Sequence, residues 1–182
     1  QGAGNFTTGA TKSVAIGKNS LSSLTSGSAN TAVGYTSLVA NTTGAANSAF
    51  GMNSLTANTT GDYNSAFGES SLQNNTTGTE NIAFGYYSLQ GNTEGNYNSA
   101  LGSNSLRWNA TGTANSAVGY QAGYGYSAGG NINSSTIFGY QAGYGLRTGA
   151  DGNILLGYKA GDAITTGAQN IIIGYDIDAP ST

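Results

Sequence analysis

Cysteine and histidine are both absent from the 182 residues, and proline occurs once. Without cysteine there is no disulfide framework and no thiolate nucleophile; without histidine the commonest general base and metal ligand is missing as well. Charged residues are scarce too, at 7% against a usual quarter. Five Lys and Arg against eight Asp and Glu leave a net charge of −3, which provides no basic stripe for phosphates, so we expect no nucleic-acid partner. No apolar run approaches the roughly 18 residues that cross a bilayer, so no membrane span is expected. The carboxylates Asp62, Glu69, Glu80, Glu94, Asp151, Asp162, Asp176 and Asp178 are scattered, and none pairs in register as an acid/base couple. We therefore expect no catalytic residue, no enzyme activity and no cofactor. Asp176 and Asp178 are a weak candidate pair for a hard cation, placed by strand alternation on one face. The absence of cysteine fits an extracellular or virion protein, and a start at Gln1 without Met or signal sequence fits a processed product or fragment.

What is present is repetition. Gly17, Gly34, Gly51, Gly68, Gly85, Gly102 and Gly119 recur at a fixed interval, and later copies end at Gly139, Gly157 and Gly174. Each glycine closes the same phrase, as in Asn47-Ser48-Ala49-Phe50-Gly51 and Asn115-Ser116-Ala117-Val118-Gly119. A short fixed period of this kind marks a solenoid with one copy per coil. Two short apolar segments per copy, separated by Asn, Thr and Gly, predict two strands and two turns, and no helix. The expected fold is an all-β parallel solenoid (β-roll or β-helix) of about ten coils, on the order of 45–50 Å long. Residues 1–12 read as an irregular lead-in, 13–119 as the regular solenoid, and 120–182 as variant coils with longer turns and a C-terminal junction.

Strand alternation divides the phrase into faces. The residue before each glycine (Ile16, Val33, Phe50, Phe67, Phe84, Leu101, Val118, Phe138, Leu156, Ile173) is always bulky and apolar, so it is assigned to the core. Its neighbour is Ala15, Ala32, Ala49, Ala66, Ala83, Ala100 and Ala117, followed by Ile137, Leu155 and Ile172. Solvent does not demand alanine, so these seven alanines are expected on an outer face pressed by a sister chain, in a homotrimer. Leu21, Leu38, Leu55, Leu72, Leu89 and Leu106 form a second apolar column. Asn30, Asn47, Asn64, Asn81, Asn98 and Asn115, continued by Asn153 and Asn170, form an amide column suited to bonding coil to coil. After Gly119 the Ser-Leu pair becomes Ala122-Gly123, Ala142-Gly143 and Ala160-Gly161, while the alanine column gains volume. Tyr124 to Gly130 holds the extra residues and is expected to project as a loop. The apolar coils at both ends carry no polar cap, which predicts adjoining segments or stacked subunits there.

The wording Ser13-Val14-Ala15-Ile16-Gly17 resembles the coils of trimeric autotransporter adhesin heads. Asn30-Thr31-Ala32-Val33-Gly34-Tyr35, with Asn-Thr-Thr-Gly between copies, is similar to bacteriophage tail fibres and bacterial tail-fibre-domain proteins. Asn170 to Asp176, running into Ala179-Pro180, resembles the segment before the C-terminal chaperone of such fibres. The likeness covers residues 12–180 or so, and it implies an extracellular trimeric rod supporting attachment to a host surface. Tyr120, Tyr124, Tyr126, Tyr140 and Tyr144 are the candidate recognition residues, for a glycan or protein receptor. Other readings are a filament of subunits stacked end to end, a glycan-binding module, and, from Thr43, Thr60, Thr77 and Thr111, ice binding. Asn41, Asn58 and Asn75 fit the glycosylation acceptor pattern, as a by-product of the repeat.

Overall fold

In the computed structural model, which describes residues 11–126 and 130–178, every copy of the phrase contributes one strand of three residues. These are β1 (Val14–Ile16), β2 (Thr31–Val33), β3 (Ser48–Phe50), β4 (Ser65–Phe67), β5 (Ile82–Phe84), β6 (Ser99–Leu101), β7 (Ser116–Val118), β8 (Thr136–Phe138), β9 (Ile154–Leu156) and β10 (Ile171–Ile173). They pair in parallel and in sequence order into one ten-stranded sheet, so the chain is a β-solenoid in which each strand with its following turns forms one rung. Register is exact to the residue: Ala49 sits beside Ala66 and Phe50 beside Phe67. The sheet runs through residue 120 without a break. The expected lead-in falls mainly outside the described residues, as does the tip of the expected loop, whose ends at Gly125 and Gly130 close on each other.

The second expected strand of each coil is a turn instead. Its leucines lie in the left-handed region, Leu55 at φ 50° and Leu72 at 49°. The preceding serine closes back on the register glycine, Ser71 Oγ donating to the Gly68 carbonyl at 2.9 Å. Two further corners use left-handed residues: the one five before the glycine (Tyr63, Glu80, Tyr97) and the one two after it (Asn53, Tyr87, Asn104). A coil that turns this sharply has room for only one regular strand.

The face assignment also reverses. Ala32, Ala49, Ala66, Ala83, Ala100 and Ala117 are 0% exposed and form the core with the leucine column, with Ala15 partly buried against them. The bulky residues beside them point outward: Phe84, Leu101, Phe138 and Leu156 are each close to half exposed. The reason is volume. Inside so narrow a coil a leucine reaches nearly to the opposite strand and leaves space for a methyl group only. The later rungs confirm the pairing, because Ile137, Leu155 and Ile172 appear where glycine replaces the leucine. A Cβ on Gly143 would lie 2.8 Å from Leu155 Cδ1, and one on Gly123 would lie 2.9 Å from Ile137 Cδ1. The two columns trade volume across a core one side chain thick.

The register glycines stack backbone on backbone. A Cβ on Gly68, whose φ is +132°, would lie 2.7 Å from the Gly85 carbonyl oxygen, so no side chain fits. Buried asparagines lock each rung to the next. Asn64 Nδ2 donates to Asn47 Oδ1 at 3.2 Å and to the Gly78 carbonyl at 2.8 Å, and the Asn64 backbone N–H donates to the same Asn47 oxygen at 2.9 Å. The pattern repeats from Asn30 to Asn115, with Ser135 standing in before Asn153 and Asn170. A second ladder links Asn41, Asn58, Asn75 and Asn92. It ends at Asn92 Oδ1, which has no partner, because the next residue in the column, Asn109, turns its oxygen to the Ile132 N–H. Because Asn41, Asn58 and Asn75 are fully buried, their acceptor pattern is indeed a by-product of the fold.

Candidate interaction surfaces

The outer face of the sheet is made by alternate residues of each rung. The outward positions of the strands themselves run Val14/Ile16, Thr31/Val33, Ser48/Phe50, Ser65/Phe67, Ile82/Phe84, Ser99/Leu101, Ser116/Val118, Thr136/Phe138, Ile154/Leu156 and Ile171/Ile173, with no charge among them. Phe50, Phe67 and Phe84 stack ring on ring, with centroids 4.7 and 4.4 Å apart, and so present a ridge of ring edges. The face continues on one side to the corner holding Tyr63, Glu80 and Tyr97, and on the other to the residue after each glycine. Beside the ridge, Tyr63, Ser65, Glu80 and Ile82 line a shallow hollow of about 440 Å³. The sequence reading missed this surface because it placed the bulky column inside. The signal was available in the exchange of Ala for Ile and Leu wherever Leu becomes Gly, since columns that trade volume must touch.

The candidate recognition tyrosines are placed by the same periodicity. Tyr120, Tyr140, Tyr158 and Tyr175 form a continuous stack, with centroids 5.3, 5.3 and 4.8 Å apart. Tyr124 and Tyr144 stack at 5.0 Å, and Tyr126 meets Tyr144 edge-on. Burial and the neighbouring phenols raise the Tyr144 pKa. Within these stacks the rings cover one another, leaving mainly edges and hydroxyls for a partner, whereas a sugar stacks on an open ring face. The side next to them carries a cluster that sequence reading did not find. The Arg107 guanidinium lies 4.5 Å from the Tyr87 ring centroid and 4.8 Å from that of Trp108. Its Nε and Nη1 donate to Gln90 Oε1 and Asn104 Oδ1, both at 3.0 Å.

The carboxylates are structural where their bonds are seen. Asp62, Asp151 and Asp178 each accept a backbone N–H from the previous rung, from Ala45, Asn133 and Ala163 at 2.7, 2.8 and 3.0 Å. Asp176 and Asp178 lie beyond β10 in a bend, Asp176 with φ 54°, so they do not share a strand face. Among the described residues no group of three or more Asp, Glu, His or Cys side chains is placed to hold a metal ion. Burial, followed by the nearby Asp178 charge, raises the Asp162 pKa. Thr42, Thr59, Thr76 and Thr93 donate their hydroxyls to carbonyls of the next rung, so of the two threonine columns only the one with Thr43, Thr60, Thr77 and Thr111 is left outward. No described helix is long and apolar enough to cross a membrane. No protein-family model, curated protein or solved structure matches the chain.

Proposed function

We propose that the chain is a structural segment of an extracellular fibre, a rod of the tail-fibre or adhesin kind that holds an attachment device away from the body bearing it. The observation that carries this reading is the unbroken series of ten in-register rungs, each bonded to the next through its backbone and its asparagines. Such a series resists bending and stretching, because any deformation must strain many parallel bonds at once. The core is too thin to enclose a substrate. The tyrosine stacks and the Arg107 cluster give the rod polar side surfaces for contacts with a host glycan or protein, made through hydroxyls, ring edges and the guanidinium.

Antibody against the chain, applied to intact cells or particles of the source culture, is expected to label external fibres in electron micrographs. Label confined to the interior of broken cells would end this reading. Among the described residues β1 and β10 each pair on one side only, which favours joining end to end as a second reading. Purified rods of a single length support the fibre segment, whereas polymers that lengthen with concentration support the filament.

A further inference from the structure

We propose that Tyr87, Arg107 and Trp108 form a binding site on the side of the rod for a sugar that carries a carboxylate, a uronic or sialic acid residue of a short oligosaccharide. The inference deepens the fibre reading, on which it rests for where such a sugar is met: it names a ligand class and the place that takes it. Three observations carry it.

The first is departure from the repeat. In a stack of like rungs each rung is a control for the others, so what the fold needs recurs and what it does not need is free to vary. Two residues after the register glycine the column reads Thr36, Asn53, Ser70 and then Tyr87. Five after it stand Val39, Thr56, Gln73, Gln90 and then Arg107; six after it, Ala40, Ala57, Asn74, Gly91 and then Trp108. The rungs with small residues make the same corner, since Asn53, Ser70 and Tyr87 have φ of 58°, 56° and 57°. Asparagine suits that left-handed corner, whereas a bulky tyrosine there is uncommon and points to a use other than folding. In the rung beneath Trp108 the column loses its side chain. A Cβ on Gly91 would lie 2.8 Å from the Arg107 carbonyl oxygen and 3.5 Å from Trp108 Cε3, and Gly91 has no left-handed φ to require glycine. Space explains it.

The second is a fixed cation without a counter-ion. The Arg107 guanidinium lies over the Tyr87 and Trp108 rings, and its Nε and Nη1 donate to Gln90 and Asn104. Both of these partners are neutral amides, and among the described residues no carboxylate pairs with the guanidinium. Held by rings and amides, it loses little freedom on meeting an anion.

The third is what stays unbonded. Arginine and tryptophan are donors only. Among the described residues Nη2, one hydrogen of Nη1 and the Trp108 indole N–H have no acceptor. The same side continues with amides whose oxygens are taken: Gln73 Oε1 accepts from Gln90 Nε2 at 2.9 Å, and Gln121 Oε1 from Gln141 Nε2 at 2.7 Å, so both present Nε2. Donors beside aromatic rings fit a ligand that sets acceptors on an apolar ring. A carboxylate takes the guanidinium, hydroxyl oxygens take the amides, and the C–H face of the sugar lies against the aromatic side chains. Gln73 and Gln121 belong to rungs three apart, about 14 Å along the rod, which gives room for more than one sugar unit. A peptide fits less well, because an extended peptide pairs with a free sheet edge, and the flanks of this rod offer side chains only.

Trp108 is the only tryptophan, so its fluorescence reports the site directly. Titrating the purified chain with tetragalacturonate and, separately, with sialyllactose is expected to shift or quench that emission for at least one of the two, which identifies the source of the acid. The methyl ester of tetragalacturonate and lactose are expected to leave it unchanged. Calorimetry then places the contact. Arg107→Gln and Trp108→Ala copy side chains that Gln90 and Ala57 already carry in the same columns, so the circular dichroism spectrum should not change, while affinity for the acidic sugar falls by about tenfold or more. Tyr158→Ala, in the ring stack away from the site, is expected to bind like the parent. Silence toward both acidic sugars, an equal response to their neutral counterparts or to polyglutamate, or unchanged affinity in Arg107→Gln overturns the site. Such a failure leaves the rod reading standing, since that reading is decided by where the antibody labels.

Discussion

Leu72 is held at φ 49° and is fully buried. A left-handed backbone costs a non-glycine residue about 1–2 kcal/mol, and burying leucine contributes about 2 kcal/mol, so the position is favourable only while the side chain fills the core. Leu72→Gly relieves the backbone but opens a cavity, and Ala66→Ile overfills the core from the other side. Together they copy the exchange of volume in the later rungs, where Leu155 packs against Gly161. Denaturant melts of the two single variants and the double variant are expected to show a favourable coupling of about 1–3 kcal/mol, and simple additivity would refute the volume trade. Asp162 gives a prediction with pH. Its folded pKa is raised, first by burial and then by the Asp178 charge, so the folded state resists losing the proton. The group favours folding below the ordinary aspartate pKa, and that contribution is lost as pH rises through the raised value. Asp162→Asn is therefore expected to melt higher than the parent at pH 7, with the gap closing below about pH 3.9; a gap that persists in acid would exclude this cause.

A rung is held by its neighbours rather than by its own bonds. Asn64 gives and receives bonds on both sides while fully buried. Asn64→Ala leaves the Gly78 carbonyl with its bond from Asn75 Nδ2 but strands the Asn81 backbone N–H and one of the two Asn81 Nδ2 hydrogens, each worth about 1–3 kcal/mol when buried unsatisfied, so a loss of about 2 kcal/mol or more is expected in thermal melts. Asn74→Ala, at an exposed turn, serves as the control and should stay within about 0.5 kcal/mol of the parent. Gly68→Ala should prevent folding, as read by circular dichroism, because its methyl group would meet the Gly85 backbone. At this scale much was legible in advance. Period, parallel register, the asparagine ladder and the place where the core composition changes all follow from residues recurring in step. The inside of the coil was not legible, because the alanines and the bulky residues beside them are both apolar. Alternation separates two faces without saying which is enclosed. The second strand was misread for a related reason: Ser-Leu has the apolar wording of a strand, and only the φ of 50° at Leu55 shows it to be a corner. The tyrosines were found by their spacing, but spacing alone does not reveal that Tyr140 and Tyr158 cover each other's rings.

Taken whole, the molecule is a stack in which contacts reach one rung up and one rung down and scarcely further. Residues 17 apart in sequence are neighbours in the ladder, as Asn47 and Asn64 are. Excising residues 52–68 would therefore remove one storey and bring Gly51 directly before Glu69, with every surviving neighbour of the same kind as before. Such a chain should fold, and its rods should be shorter by about 4.8 Å in averaged electron micrographs. Most proteins cannot change a dimension without redesigning their interior. Here reach is set by the number of storeys alone, so recombination between near-identical stretches of the gene can lengthen or shorten the shaft in fixed steps while leaving its cross-section untouched.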